Sequence, residues 1–172
     1  MITQQDIVDY FEALAIDSKD INHQFEGKKT FFFVEDSDTL DGFDDALRNS
    51  AASPVMLIMA ADGEFDDAGS NNYTQEVNIE CYILARVKSD LNSIQAKSLC
   101  LPIALGVLSR MRIDSNKGVM IGEKRLKFRI EKVPYQSVGP MNTEWYGYAV
   151  LCTFYCPLNF KLTSASWRSI PE

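Results

Sequence analysis

Hydrophobic residues recur along this chain with two periods, one typical of helices and one typical of strands. Near the start, Thr3 and Asp6 have the spacing of a helix N-terminus, and apolar residues then follow at helical intervals. Those apolar residues are Ile7, Tyr10, Phe11 and Leu14. The pattern predicts a short amphipathic helix over residues 3–15.

A longer helix is predicted to begin after Asp90 or Asn92, either of which can cap it, and to pack against a sheet. Its predicted inward positions step mostly by four residues and are Ile94, Leu99, Ile103, Val107 and Met111. Pro102 removes one backbone donor from this run, so a kink or a break is expected near Ser98.

Five segments have strand patterns. Residues 30–35 are β-branched and aromatic, and residues 54–60 are apolar on both faces, as in a central buried strand. Residues 73–87 alternate apolar and polar positions, which predicts a long antiparallel strand with one wet face. Residues 125–131 alternate as well, and residues 144–156 are aromatic and predicted to be buried on much of both faces. In residues 125–131 the inward set is Leu126, Phe128 and Ile130, and the outward set is Arg125, Lys127, Arg129 and Glu131.

The order of these elements predicts an α+β fold with a mixed, mostly antiparallel sheet. One long helix packs on a face of this sheet, and a short helix lies at the N-terminus. A further short acidic helix is predicted over residues 38–49, and a long polar loop over residues 62–72. Residues 1–160 are expected to form a single domain, followed by a C-terminal tail at residues 161–172.

The formal net charge of −7 opposes binding to nucleic acid or to an anionic membrane. The apolar runs are far shorter than the roughly 20 residues of a membrane helix, and the N-terminus does not resemble a signal peptide. We therefore expect a cytoplasmic protein without specific nucleic-acid binding and without a membrane partner.

The residues that most often carry chemistry indicate no catalytic, metal or cofactor site. The four cysteines lack the paired spacing of a zinc site and are expected to be buried and reduced. His23 is the only histidine and is expected to be a solvent-exposed loop residue. Asp62, Glu64 and Asp66 begin like a calcium loop, but Asp67 stands where that loop needs glycine and Tyr73 where it needs glutamate.

Charge is distributed unevenly along the chain. Residues 31–72 contain ten acids and one base, whereas residues 86–132 contain eleven bases and four acids. The two regions are either solvated faces of a monomer or complementary surfaces through which copies of the chain associate head to tail. The candidate residues for a subunit or channel surface are Asp62, Glu64, Asp66, Asp67, Arg125, Lys127 and Arg129.

The order of elements resembles the lambda-type tail terminator and tail completion proteins of long-tailed bacteriophages. The resemblance covers residues 3–160. It is carried by the N-terminal helix, the Pro-led strand at residues 54–60, the long strand at residues 73–87, the helix ending Leu108-Ser109-Arg110-Met111, and two closing strands around Asn142-Thr143-Glu144-Trp145-Tyr146-Gly147.

This resemblance implies a virion structural protein of a phage or prophage that is not an enzyme and uses no cofactor. Such a protein forms a ring, typically a hexamer, that ends tail-tube polymerisation and joins the tail to the head. Its partners would be copies of itself, tail-tube proteins and head-connector proteins. It would be found in the bacterial cytoplasm during assembly and then in the virion. Acidic residues 62–72 would line either a subunit contact or the channel, where carboxylates repel DNA.

Two alternatives stay open. A connector or a tail-tube component would have the same ring symmetry but a different docking surface. A small cytoplasmic α+β ligand-binding module or enzyme would instead use Trp145, Tyr146 and Tyr148 as an aromatic pocket, although aromatic residues on strands usually fill a core.

Overall fold

The computed structural model describes residues 1–35, 47–48, 52–67, 73–88, 91–122, 124–125 and 127–158. The elements within these residues are α1 (Gln4–Asp17), β1 (Phe31–Val34), β2 (Val55–Met59), β3 (Asp62–Asp67), β4 (Tyr73–Arg86), α2 (Ser93–Lys117), β5 (Met120–Ile121), β6 (Lys124–Arg125), β7 (Tyr135–Met141) and β8 (Trp145–Pro157). The predicted acidic helix at residues 38–49, apart from residues 47–48, and the tail at residues 161–172 lie outside the described residues.

Within the described residues, six strands form one sheet in the order β1-β2-β4-β8-β7, and β3 also pairs with β4. Among the strand pairs formed by the described residues, only β1–β2 in this sheet is parallel. A separate small hairpin joins β5 and β6. The predicted α+β fold, with its mostly antiparallel mixed sheet, long helix and short N-terminal helix, is confirmed.

Strand β2 is fully buried, as its apolar sequence predicts. Met56 and Ile58 lie in the main core on the helix side of the sheet, together with α1, α2 and one face of β4. Val55 and Leu57 face the other way, into a smaller core that includes Leu84 and Trp145. The opposite face of β4 is therefore wet only toward its N-terminal end, because the smaller core covers its C-terminal end.

Helix α1 begins where the Thr3 and Asp6 spacing predicts. The Thr3 hydroxyl accepts a hydrogen bond from the Asp6 N–H, and the Asp6 carboxylate accepts one from the Thr3 N–H at 2.8 Å. This reciprocal pair satisfies two donors that a helix start otherwise leaves unpaired. Ile7, Phe11 and Leu14 then fall on the buried face of the helix.

Helix α2 begins at its Asn92 cap and continues through Pro102 as one helix, so of the kink or break expected near Ser98 the break does not occur. Ser98 and Pro102 both lie on the exposed side of the helix. Solvent can therefore reach the Ser98 carbonyl, which receives no N–H donor from Pro102. The buried positions are Ala96, Cys100, Ile103, Ala104, Val107, Met111 and Asp114. The inward assignment of Ile94 and Leu99 is wrong, since both are exposed, Ile94 at 74%. No helix of the described residues is both long enough and apolar enough to cross a bilayer.

His23 is buried, so its predicted exposure is wrong. Its Nδ1 accepts hydrogen bonds from the backbone N–H groups of Thr30 and Phe31, at 3.1 and 3.2 Å. Its Nε2 lies 3.5 Å from a carboxylate oxygen of Glu12 on α1. The imidazole thus satisfies two buried donors at the start of β1 and ties that strand to α1.

The alternating segment at residues 125–131 is not one continuous strand. Arg125 ends the two-residue β6, and Phe128 forms only an isolated bridge to Phe154 of β8. Ile130, predicted to point inward, is exposed. The strand that pairs with β8 beyond this point is β7, which the alternation pattern does not predict because most of its residues are exposed.

Substituting His23 tests its structural role. His23→Ala leaves two buried N–H donors without an acceptor and should lower the free energy of unfolding by about 2 to 4 kcal/mol. His23→Asn keeps an acceptor oxygen near the position of Nδ1 and should lose clearly less. Urea denaturation followed by circular dichroism measures both variants. Equal stability of His23→Ala and the wild type would contradict the assignment.

Cysteine labelling tests the burial of the main core. All four cysteines are buried, and burial raises the pKa of Cys81 and of Cys100 to about 12. Because the thiolate is the reactive form, iodoacetamide at about pH 8 should leave the folded chain unmodified. The same reagent in denaturant should add four labels. Rapid modification of any cysteine in the folded chain would contradict this prediction.

Candidate functional site

The acidic residues predicted to form a loop lie on strand β3. Residues 62–67 pair with β4 in register, from Asp62 opposite Asn78 to Asp67 opposite Tyr73, so the loop prediction is wrong for them. Residues 68–72 of the predicted loop lie outside the described residues. All of β3 is exposed, and strand alternation places Asp62, Glu64 and Asp66 on the sheet face away from the helices.

Strand β3 forms because β4 extends beyond its pairing with β2. Strand β2 pairs with residues 81–84 of β4 and leaves residues 73–78 available on the same side. After Ala60 and Ala61 the chain continues along this side as β3. At Gly63 the two strands approach so closely that a side chain would collide with the Glu76 carbonyl, which explains a glycine within the strand.

Like charges face each other across this strand pair. Glu64 lies directly opposite Glu76 of β4, and Glu80 follows further along β4 on the same face. Within the described part of the chain, Asp62, Glu64 and Asp66 form no ion pair. Since like charges opposite one another destabilise a sheet, this acidic edge does not optimise the stability of the isolated chain.

The opposite edge of the same end of the sheet is basic. The Tyr155 N–H of β8 donates to the Lys127 carbonyl at 2.8 Å, and the Arg129 N–H donates to the Thr153 carbonyl at 3.0 Å. Phe128, between the two basic residues, is buried on the helix side of the sheet. Alternation therefore places Lys127 and Arg129 on the face away from the helices, the face that also carries Asp62, Glu64 and Asp66.

Arg129 is held against β8, whereas Arg125 is placed elsewhere. The Arg129 guanidinium donates to the Tyr155 hydroxyl at 2.8 Å and lies 5.8 Å from the centre of that ring. Arg125 belongs to the β5–β6 hairpin, where its side chain runs beside Gly118 at the C-terminal end of α2. Of the predicted basic residues, the structure thus brings Lys127 and Arg129 together on the edge.

One end of the sheet therefore has two edges of opposite charge. Across it the order is β3, β4, β8 and the segment at residues 127–129. Three interstrand spacings of about 4.8 Å separate the acidic and basic edges by roughly 14 Å. The acidic edge is defined here by Asp62, Glu64 and Asp66, and the basic edge by Lys127 and Arg129.

An apolar groove lies beside the basic edge on the helix side. It has a volume of about 740 Å³ and runs between α2 and residues 130–135. Its apolar lining includes Leu105, Leu108, Ile113, Ile130, Val133 and Tyr135, and its polar lining is Ser109, Arg112 and Asn116. Leu105 is 55% exposed and Tyr135 is 65% exposed, so the groove presents neighbouring apolar side chains to solvent.

The sequence pattern predicted a single apolar stripe on α2, and the groove is lined by a second stripe that this prediction omitted. Leu101, Leu105 and Leu108 are spaced by four and three residues, and they form a second helical stripe beside the buried one. A helix with two apolar stripes has more apolar surface than a single sheet contact buries. That second stripe was the available signal for an additional contact surface.

The three aromatic residues considered as a ligand pocket do not share one. Trp145 is buried in the smaller core, away from the helices. Tyr146 and Tyr148 pack against the main core on the helix side. Consecutive strand positions point to opposite faces, so the alternation of β8 separates Trp145 from the two tyrosines.

The buried carboxylate of Asp114 has its partners within the chain. It accepts hydrogen bonds from the Tyr10 hydroxyl at 3.1 Å and from Arg110 Nε at 2.9 Å, and Arg110 also reaches Asp17 at 3.1 Å. Burial and the neighbouring carboxylate raise the pKa of Tyr10 well above its usual range. The cluster joins α1 to α2, and its geometry indicates a structural role.

Comparison with known proteins assigns no function to the chain, so a function has to be argued from the surfaces described above. No family model matches the chain, and no curated protein matches it. Among the described residues, no cluster of three His, Cys, Asp or Glu side chains is placed to hold a metal ion. The two charged edges and the apolar groove are thus the features from which a function is argued.

Proposed function

We propose that this chain is a virion structural protein of a phage or prophage, a ring-forming tail terminator that ends tail-tube polymerisation and joins the tail to the head. The observation that carries this proposal is the placement of the acidic and basic edges at opposite sides of one end of the same sheet. Complementary edges on opposite sides of a molecule favour head-to-tail contacts between copies. Such contacts close into a ring when the rotation between copies permits it.

The charge arrangement supports association of this kind in two ways. Opposite charges attract copies and orient them before contact. Glu64 of the acidic edge also lies opposite Glu76 of β4, and a basic neighbour would offset this like-charge register. The proposal of six copies, the tail-tube and head-connector partners and the location in the virion come from the resemblance to tail terminators.

A small-molecule binding function is the second candidate. The volume of the apolar groove, about 740 Å³, falls within the range of ligand sites. The polar groups Ser109, Arg112 and Asn116 on α2 would then orient the ligand. In that case the chain would bind an apolar compound as a monomer, and its solution mass would not depend on salt.

Solution mass measured across salt concentrations tests the proposal. We expect size-exclusion chromatography with light scattering to give a mass of several subunits at about 0.05 M NaCl. The mass should fall toward one subunit at about 0.5 M because salt screens the two edges. Electron micrographs of the assembled fraction should show rings. A monomer at all protein and salt concentrations would contradict the proposal.

A charge variant tests the acidic edge directly. The triple substitution Asp62→Asn, Glu64→Gln and Asp66→Asn should shift the assembled protein toward monomers at low salt. The matched control is Asp9→Asn, Asp20→Asn and Glu26→Gln, which removes the same charge from exposed positions outside β3 and should assemble normally. If the triple variant forms intact rings, these carboxylates do not make the subunit contact, and their placement in the channel is favoured.

A further inference from the structure

We propose that the apolar groove binds a free long-chain carboxylate, with the acid group at Arg112 and the acyl chain along α2. The inference rests on the second candidate function, for which it names the class of ligand. It is independent of the proposed head-to-tail association, because it uses residues of the groove and not of the charged edges.

The groove is separate from the basic edge. Lys127 and Arg129 lie beside the end of β8, on the face away from the helices. The groove lies on the helix side, where Tyr135 pairs with Val150 of β8. A contact through the charged edges therefore does not use the groove residues, and the groove can have an occupant of its own.

The shape of the groove suits a small ligand. Leu105 and Leu108 of α2 line one side of it, and Tyr135 lines the other. Ala104 and Val150, which also line the groove, are buried and form its floor. Small-molecule sites are typically concave and mostly apolar, with a few polar groups that orient the ligand.

The polar groups of the groove are grouped on one helix face. Ser109, Arg112 and Asn116 are spaced by three and four residues, so their side chains are neighbours on α2. None of the three forms an ion pair or a side-chain hydrogen bond with the other described residues. Their donors are therefore available to a ligand.

The charge of this polar group indicates the acid. Arg112 is the one charged residue among the described residues that line the groove. A guanidinium binds a carboxylate through two parallel charge-assisted hydrogen bonds. A phosphate group has nearly two negative charges and typically binds at several bases or at a helix N-terminus, whereas one arginine matches the single charge of a carboxylate.

The length of the apolar lining indicates the chain. At ~1.5 Å of rise per residue, the lining of α2 runs about 16 Å from Arg112 back to Leu101, roughly the length of an extended acyl chain of twelve carbons. Leu105 and Leu108 lie between these two ends. An amphipathic acid can therefore place its head group at Arg112 and its chain along the leucines.

The charge of the whole chain favours a free acid over an anionic membrane. The formal net charge of −7 repels an anionic bilayer. Near the groove, however, Lys117 and Lys132 are exposed and add positive charge beside Arg112. A single anionic molecule can enter this local field without bringing a charged surface close to the acidic parts of the chain.

Titration calorimetry on the full chain tests the ligand class. Dodecanoate, used below its micelle-forming concentration at about pH 8 so that the acid is ionised, should bind one molecule per chain. Octanoate should bind at least about tenfold more weakly, because each buried methylene adds affinity. Dodecanol and dodecyltrimethylammonium should also bind at least about tenfold more weakly, because neither gives Arg112 a carboxylate partner.

Two variants with matched controls locate the site. Arg112→Gln removes the cation, and Leu105→Glu places a carboxylate in the groove wall, so each should weaken dodecanoate binding about tenfold or more. Arg125→Gln and Ile94→Glu make the same kinds of change at exposed positions outside the groove and should bind like the wild type. Circular dichroism and thermal unfolding should show that all four variants fold normally, since the replaced side chains are exposed.

The results separate this inference from the tail-terminator proposal. Absence of dodecanoate binding would overturn the inference and leave the groove to a protein segment or a second copy, while salt-dependent assembly would still support the tail-terminator proposal. Equal binding of dodecanol, or full binding by Arg112→Gln and Leu105→Glu, would also overturn the inference. Flotation of the chain with phosphatidylglycerol vesicles in place of dodecanoate binding would assign the groove to a membrane and overturn it. A monomeric wild type that binds dodecanoate would contradict the tail-terminator proposal and support the inference.

Discussion

The antiparallel pairing of β4 with β8 is the constraint on which the rest of the structure depends. It extends from Thr74 opposite Pro157 to Arg86 opposite Trp145, so it forms the centre of the sheet along its whole length. Toward one end, β2 and β7 flank the pair, and cores lie on both faces. Toward the other end the pair extends past β2, and β3 and residues 127–129 take the flanking positions. Both charged edges exist because this central pair is longer than its neighbours.

The parts of the fold that follow from local pattern could be predicted. The helix start at Thr3 depends on a reciprocal hydrogen bond over three residues, and the two-faced burial of β2 follows from an uninterrupted apolar run. The long alternation of β4 is equally local. In each case the residues that determine the structure are adjacent in sequence, so the pattern contains the necessary information.

The parts that depend on distant partners could not be predicted. Strand β3 has the composition of a loop and becomes a strand only because β4 offers it an edge. His23 stands in a polar stretch, yet backbone donors of Thr30 and Phe31 hold it in the interior. The candidate site depends on the same kind of information. The opposite charges were visible in the sequence, but their placement on two edges of one sheet required the strand order.

The exposure of acidic β3 also determines which contacts the molecule avoids. Two copies meeting through β3 would bring Asp62, Glu64 and Asp66 against their own equivalents, and repulsion at this short range opposes such a symmetric pair. An exposed edge strand is ordinarily a template for uncontrolled strand pairing, and here its carboxylates exclude the identical strand as a partner. Any chain of copies linked through this edge therefore has a direction, with β3 exposed at one end and the basic edge at the other. An open assembly would thus have two chemically different ends, and only ring closure would remove both.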